Sequence, residues 1–274
     1  MQNYAFGVHS IQIGVLGASG YAGRELCALI LGHPQLQLAF ATANQQRGTT
    51  LRVRAAGRMH DVPLVGADEI ELGDADLVFC ALPHGASAVW VAKALEAGCR
   101  VVDLSSDLRP GYGGAQEHLP SGVPLDAPYG LPELGRAGIR EARVVANPGC
   151  YATSVLVALA PLARAGLIAS GATVSIASAS GVSGAGASPR LDLLFAEVTE
   201  NYRPYGVGNA HRHLFEMRDV MSRFGADCDL LAHTLLSFLD PALISHLTRQ
   251  RGMPLERLEK GWLDLVARVT GTES

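Results

Sequence analysis

The chain has 274 residues, 48% hydrophobic and 18% charged, with a formal net charge of −4. That is enough apolar material for one large domain or two, and the lack of a basic run argues against a nucleic-acid partner. No apolar run reaches the roughly 20 residues that span a bilayer, since the longest, VLVALAPLA, contains Pro161. The N-terminus, MQNYAFGVHSIQIGVLG, has no basic region ahead of its apolar residues, so no secretory leader is expected. Cysteines at 27, 80, 99, 150 and 228 show neither metal-type spacing nor a paired framework. Free thiols in a reducing cytoplasm are the expectation.

In chain order, IQIGVLG (11–17) reads as a buried strand, YAGRELCALILGH (21–33) as a helix and LQLAFATA (36–43) as a second strand. A polar stretch of weak periodicity follows. ADLVFCALP (75–83) is a strand, SAVWVAKALEAG (87–98) a helix and RVVDLS (100–105) a strand. Residues 109–135 are rich in Pro and Gly and read as loop. ARVVAN (142–147) is the next strand, followed by a helix beginning near Cys150. Strands alternating with helices predict a parallel α/β sheet.

The pattern changes after Gly166. ATVSIASAS (172–180) alternates like a half-buried strand, GVSGAGAS (181–188) is a glycine-rich loop, and 201–210 is loop. HRHLFEMRDVMSRFG reads as a helix and LLAHTLLSFL (230–239) as a strand. The last helix carries Leu255, Leu258, Trp262, Leu265, Val266 and Val269 on one face. The expected division is 1–149, joined by the helix at about 254–274, and 150–253.

VLGASGYAGREL places Gly17, Gly20 and Gly23 between the first strand and the first helix. Glycines there let backbone N–H groups approach a pyrophosphate, and a helix start adds partial positive charge. A plain tight turn is the competing reading. At the tip of the second strand an acid would select NAD by accepting from the ribose 2′-hydroxyl. ATANQQRG has no acid but does have Arg47, which leans toward the 2′-phosphate of NADP; a solvated loop arginine is the alternative.

Cys150 falls at a strand-to-helix turn, directly after Pro148 and Gly149. A thiolate is the nucleophilic form of cysteine, and a helix N-terminus favours negative charge. A buried apolar cysteine is the alternative. The candidate base lies in YGVGNAHRHLFE. His211 and His213 are two apart and are expected to point in different directions, so only one should face the site. They lack the spacing of a zinc pair, and no metal is expected. A thiol, an imidazole and a dinucleotide suggest one chemistry. The cysteine attacks an activated acyl group, hydride reduces the thioester to an aldehyde, and histidine moves protons.

With these motifs in place, the chain resembles the N-acetyl-γ-glutamyl-phosphate reductases, the NADPH-dependent enzymes of arginine biosynthesis. The stretches that carry the resemblance are GASGYAGREL, DLVFCALPHGAS, VVDLSSDLR, YGLPEL, NPGCYATS, SGVSGAGASP and YGVGNAHRH. The resemblance implies a Rossmann domain plus an α/β substrate domain of the glyceraldehyde-3-phosphate dehydrogenase type. It implies Cys150 as nucleophile and His211 as catalytic histidine. It implies Gly17, Ser19, Gly20, Tyr21, Ala22 and Gly23 as the nucleotide loop, with Arg47, Ser180 and Gly181 as further cofactor candidates. Arg109, Asn147, Tyr205 and Gly184 become substrate-binding candidates, Arg109 with a structural ion pair to Asp103 or Asp107 as its alternative. His84 is a candidate for the nicotinamide pocket or a structural histidine. The implied cofactor is NADP(H), the substrate an acyl phosphate, and the assembly a homodimer or homotetramer.

The sequence also departs from the family. Phe215 stands where H-R-H-x-P-E has proline, and Ala43 and Asn44 stand where Ser-Arg is usual. The match fades after about residue 217, and FLDPALISHLTRQRG reads as a worn remnant of the family's next segment, with Ala242 near an expected histidine. Three expectations follow: a compactly rebuilt second domain, a partner covering it, or partial loss of function. An NADP-binding paralogue without activity and a reductase of a carrier-linked acyl phosphate are the competing functions.

Overall fold

The computed structural model describes residues 10–111, 119–124, 126–201, 211–224 and 228–232. The chain divides into two compact units, Met1–Gly149 and Cys150–Ser274. Tyr205, the FLDPALISHLTRQRG stretch and the expected helix at 254–274 lie outside the described residues.

The first unit is built on a five-stranded parallel sheet in the order β2-β1-β5-β6-β7. Its strands are β1 (Ile11–Leu16), β2 (Leu36–Thr42), β5 (Leu77–Cys80), β6 (Arg100–Asp103) and β7 (Val144–Ala146). The strand order reverses beside β1, and the crevice at such a reversal is where doubly wound sheets hold ligands. Helices α1 (Tyr21–Gly32) and α2 (Ser87–Glu96) connect the strands. Ile13 and Val15 pack with Cys27 and Ile30 of α1 in one apolar cluster. Leu16 and Val78 pack with Val91 of α2 in another. Alternate side chains of β1 thus feed the two faces of the sheet, as a pleated strand requires.

Two elements differ from the sequence reading. The polar stretch after β2 forms an antiparallel hairpin, β3 (Thr50–Ala55) with β4 (Arg58–Pro63). Leu51, Val53 and Ala55 alternate inward, and the hairpin closes through Ala56 and Gly57, both at positive φ. The signal was a period-2 pattern split by charged residues. The Pro/Gly-rich loop ends early, at helix α3 (Pro132–Glu141), with Pro132 in its first turn and Glu133 beside it. Proline pre-sets the backbone for a helix start.

The second unit opens with α4 (Cys150–Arg164), which continues through Pro161. The proline sits one turn from the end, where few carbonyls are left to be deprived of a donor. β8 (Ala172–Ile176) pairs in parallel with β9 (Cys228–Ala232). α5 (His213–Ser222) packs on α4. Ala152, Val155, Leu156, Ala160 and Ala163 form the buried stripe of α4, and Leu214, Met217, Val220 and Met221 that of α5.

Gly14 marks the tightest place in the first sheet. It pairs with Phe40 across a β-bulge, and a Cβ there would run into the Phe40 ring. Phe40 is itself buried, so the ring cannot swing away. Gly14→Ala is expected to destabilise the first unit by about 1–3 kcal/mol, read as a lower urea midpoint with an unchanged slope; an unchanged midpoint would show that the ring can move.

Candidate active site

The glycine loop spans the turn from β1 to α1. Gly17 has φ +86, and a Cβ there would meet the Ala81 carbonyl. A Cβ on Gly23 would strike the carbonyl of Gly17 and approach Ala18, so helix and strand touch through this glycine. Gly20 is the N-cap of α1 and is sterically open, with Gly17 O the nearest atom at 3.6 Å. Ser19 lies in the turn, and Tyr21 and Ala22 begin the helix as exposed residues. The first helical turn carries no acidic side chain. A tight turn, an open approach at the helix start and a close helix–strand contact are the three features that fit a pyrophosphate.

Arg47 follows the tip of β2. Its guanidinium bonds to Glu69 and lies 3.3 Å from an Asp68 oxygen. The Glu69 hydrogen bond most, then the charge of Asp68, raises the arginine pKa, while the Gly66 N–H first and the Arg47 guanidinium second hold the Glu69 carboxyl below its ordinary value. The sequence saw an arginine at this tip without acids. The acids come from a segment 21 and 22 residues further on.

The DLSSDLR segment forms a polar knot at the tip of β6. Asp107 accepts from Gly85 N (2.8 Å), Ser87 N and Ala88 N (both 3.2 Å), satisfying the start of α2. Asp103 is buried and accepts from Ser87 Oγ, Ser105 Oγ and Ser105 N; burial pushes its carboxyl pKa up. His84 Nδ1 accepts from Ser106 N at 2.9 Å. Arg109 is buried, donating from Nε to Asn147 O (2.8 Å) and from Nη2 to Leu104 O (2.9 Å). Its guanidinium joins the tips of β6 and β7, a role the sequence reading did not foresee.

Cys150 is the first residue of α4 and is exposed. Cys27, Cys80 and Cys99 are buried free thiols. Burial pushes Cys27 up to about 11 and Cys80 up to about 12, keeping both protonated and inert at neutral pH. Solvent reaches Cys150 but not these three.

Two histidines stand beside the next residue. The His211 ring meets the Tyr151 ring edge-on at 4.9 Å, and the His213 ring lies 5.9 Å from Tyr151. The two imidazoles contact each other at 4.6 Å, so they do not diverge as their spacing suggested. The reason is local: His211 precedes α5, while His213 is its first residue, so helical periodicity does not apply between them. The His213 N–H donates to His211 Nδ1 at 3.2 Å. With Nδ1 accepting, the proton of a neutral His211 sits on Nε2. Burial, then the charge of Arg212, lowers the His211 pKa. His213 Nε2 lies 3.9 Å from the fully buried Glu216, which sequence reasoning overlooked. An acid three residues into a helix behind a histidine was the available signal. Phe215, in place of the family's proline, donates its N–H to Arg212 O within this first turn.

Ser180, Gly181 and Gly184 follow β8. Gly184 N donates to Gly181 O in a single 3-10 turn, and Gly184 packs against Ser180. These residues belong to the second unit and the glycine loop to the first. Among the described residues no group of three or more His, Cys, Asp or Glu could hold a metal, and no helix is long and apolar enough to cross a membrane.

Two family models match in chain order: the semialdehyde dehydrogenase NAD binding domain over residues 12–142 and the semialdehyde dehydrogenase dimerisation domain over 150–239. The fold agrees. Aspartate semialdehyde dehydrogenase II of Vibrio cholerae superposes with a TM-score of 0.60 at 20% identity, over 81% of this chain and 69% of that one. The enzyme of Candida albicans, solved with NADP, gives 0.53 at 15% identity, over 81% and 66%. In sequence the chain is 44% identical over 216 residues to the N-acetyl-gamma-glutamyl-phosphate reductase of Thermus thermophilus, covering 77% of this chain and 61% of that protein. It is 39% identical to that of Rhodopirellula baltica, over 86% and 70%, and 36% identical to that of Pelobacter propionicus, over 91% and 75%. The chain belongs to the N-acetyl-gamma-glutamyl-phosphate reductase family. It spans about three fifths of the length of the Thermus relative.

The imidazole has a testable electrostatic consequence. A folded-state pKa below the unfolded one makes the unfolded chain bind more protons, so stability is full above the unfolded value of about 6.5 and falls as pH drops through the folded value. NMR titration of His211 should show a midpoint below that of a free imidazole, and His211→Gln should flatten the loss of stability on acidification. A midpoint at or above the ordinary value would contradict the burial of this ring.

Proposed function

We propose that the chain reduces N-acetylglutamyl 5-phosphate to N-acetylglutamate 5-semialdehyde and phosphate, with NADPH as reductant and Cys150 as nucleophile. The observation that carries the reading is the placement of Cys150: exposed, first in its helix, and followed by the tyrosine against which His211 packs. The family supplies the substrate, and the glycine loop fits a dinucleotide.

The residues then act in sequence. Cys150, as its thiolate, attacks the acyl carbon. A C–S bond forms, the C–O bond to phosphate breaks, and its electron pair leaves with phosphate, which takes up a proton from solvent. Nε2–H of His211 donates to the oxyanion that develops at the acyl oxygen, with the partial positive charge of the α4 start beside it. NADPH, when bound, supplies a hydride to the acyl carbon. The hemithioacetal oxyanion then collapses, the C–S bond breaks, and the aldehyde leaves as the thiolate is restored.

Gly17, Ser19, Gly20, Tyr21, Ala22 and Gly23 would hold the pyrophosphate, and Arg47 the 2′-phosphate. Ser180 and Gly181 are proposed on the cofactor side; Asn147, Tyr205 and Gly184 are proposed around the acyl chain. The proposed role of Arg109 toward substrate is to shape the loop that presents it, since its guanidinium bonds the Asn147 carbonyl. The dimerisation-type region at 150–239 makes a second copy of this chain the proposed partner, so light scattering should report at least two chains; a single-chain mass would remove that part.

The test runs the reaction backward. Supplied with N-acetylglutamate 5-semialdehyde, phosphate and NADP⁺, the protein should form NADPH, read at its absorbance band. Cys150→Ala should abolish turnover while nucleotide binding persists. His211→Gln should lower turnover by about 10²–10⁴-fold. Turnover that survives Cys150→Ala, or none in the wild type, would sink the reading.

A further inference from the structure

Cofactor choice in a Rossmann domain is made at the tip of the second strand, where an acid serves the ribose 2′-hydroxyl and an arginine the 2′-phosphate. This chain has both. Val65 bridges to Thr42 at the end of β2. The two segments are then zipped together: Ala43 N donates to Val65 O (2.9 Å), Gly48 N to Leu64 O (2.7 Å), and Leu64 N to Thr49 O (2.9 Å). This ladder fixes Gly66–Glu69 against the loop that carries Arg47. A Cβ on Gly66 would lie 2.9 Å from Arg47 Cζ and strike an Asp68 oxygen, so the guanidinium lies directly over this backbone. Glu69 in turn accepts from Gly66 N as well as from Arg47, which orients its carboxylate.

We propose that Asp68 and Glu69 are specificity-determining residues for the cofactor: they occupy the Arg47 guanidinium and place two negative charges beside the proposed 2′-phosphate position, so that NADPH is only weakly preferred over NADH. The inference rests on the dinucleotide-binding reading of the first unit. One arginine against two carboxylates leaves this corner with a net negative charge, opposed to a doubly charged phosphate and tolerant of a free 2′-hydroxyl, which a carboxylate can accept from. The ion pairs stand in solvent, with Arg47 48%, Glu69 45% and Asp68 72% exposed, so the phosphate competes with them instead of being shut out. Ala43 and Asn44 carry no charge, which leaves Arg47 as the cation that follows directly on β2.

Direct binding decides this without reference to turnover. The dissociation constants of NADPH and NADH are measured for the wild type, Asp68→Asn/Glu69→Gln and Arg47→Ala by nicotinamide fluorescence. Both substitutions in the double variant keep the side-chain shape and a hydrogen-bond acceptor, and both sites are exposed. The wild type should prefer NADPH by less than about ten-fold, the double variant should widen that preference by about ten-fold or more through tighter NADPH binding, and Arg47→Ala should erase it. A strong wild-type preference, or one unchanged in the double variant, would overturn the proposal while leaving the dinucleotide reading standing. If neither nucleotide binds the wild type, the dinucleotide reading falls and takes the proposal with it.

Discussion

One buried guanidinium ties down the strand tips from which the turn to Cys150 departs. Arg109 holds the carbonyl of Leu104 after β6 and that of Asn147 after β7. A charge out of water must be fully engaged, or its desolvation would unfold the corner. The Arg109 contacts therefore fix the geometry of both tips. Asn147 is followed by Pro148, Gly149 and Cys150, so the course of the chain into α4 starts from a clamped carbonyl. The same DLSSDLR segment supplies Asp107 to the start of α2 and Ser106 to His84. A stretch that looks like a ligand motif is in large part scaffolding for three loops.

The second unit gathers its chemistry by running two helices in the same direction. Tyr151 meets His211 and His213 at one end of the α4–α5 pair, and Arg164 lies over Phe224 at the other. Both helix starts therefore lie together, one carrying Cys150 and the other the histidines. Phe215 is accommodated because its position is in the first turn of α5, half outside the protein, where proline gives rigidity but packing demands little.

Local patterns were legible in the sequence. The glycine loop, the parallel strands, the helix starting at Cys150 and the burial of Cys27, Cys80 and Cys99 all follow from periodicity and turn chemistry within short windows. What escaped depends on contacts between distant segments. Nothing near Arg47 announces Asp68 and Glu69, because a hairpin intervenes and the Thr42–Val65 bridge, with the hydrogen bonds beside it, brings them back. The hairpin itself was hidden by arginines alternating with Leu51 and Val53. Asp107 reads as a partner for Arg109 but spends its oxygens on backbone N–H groups of α2. The His211–His213 contact was missed because helical spacing was applied across a helix boundary.

The proposed carrier of the acyl group is the Cys150 sulfur. The most direct measurement is intact and peptide mass spectrometry after exposure to N-acetylglutamyl phosphate without nicotinamide cofactor, so that the thioester accumulates. One acyl group should appear, on the peptide containing Cys150, and should be released by hydroxylamine. Cys27, Cys80 and Cys99, buried in the first unit, should stay unmodified. An unmodified Cys150 peptide, or an acyl group on another cysteine, would contradict the account.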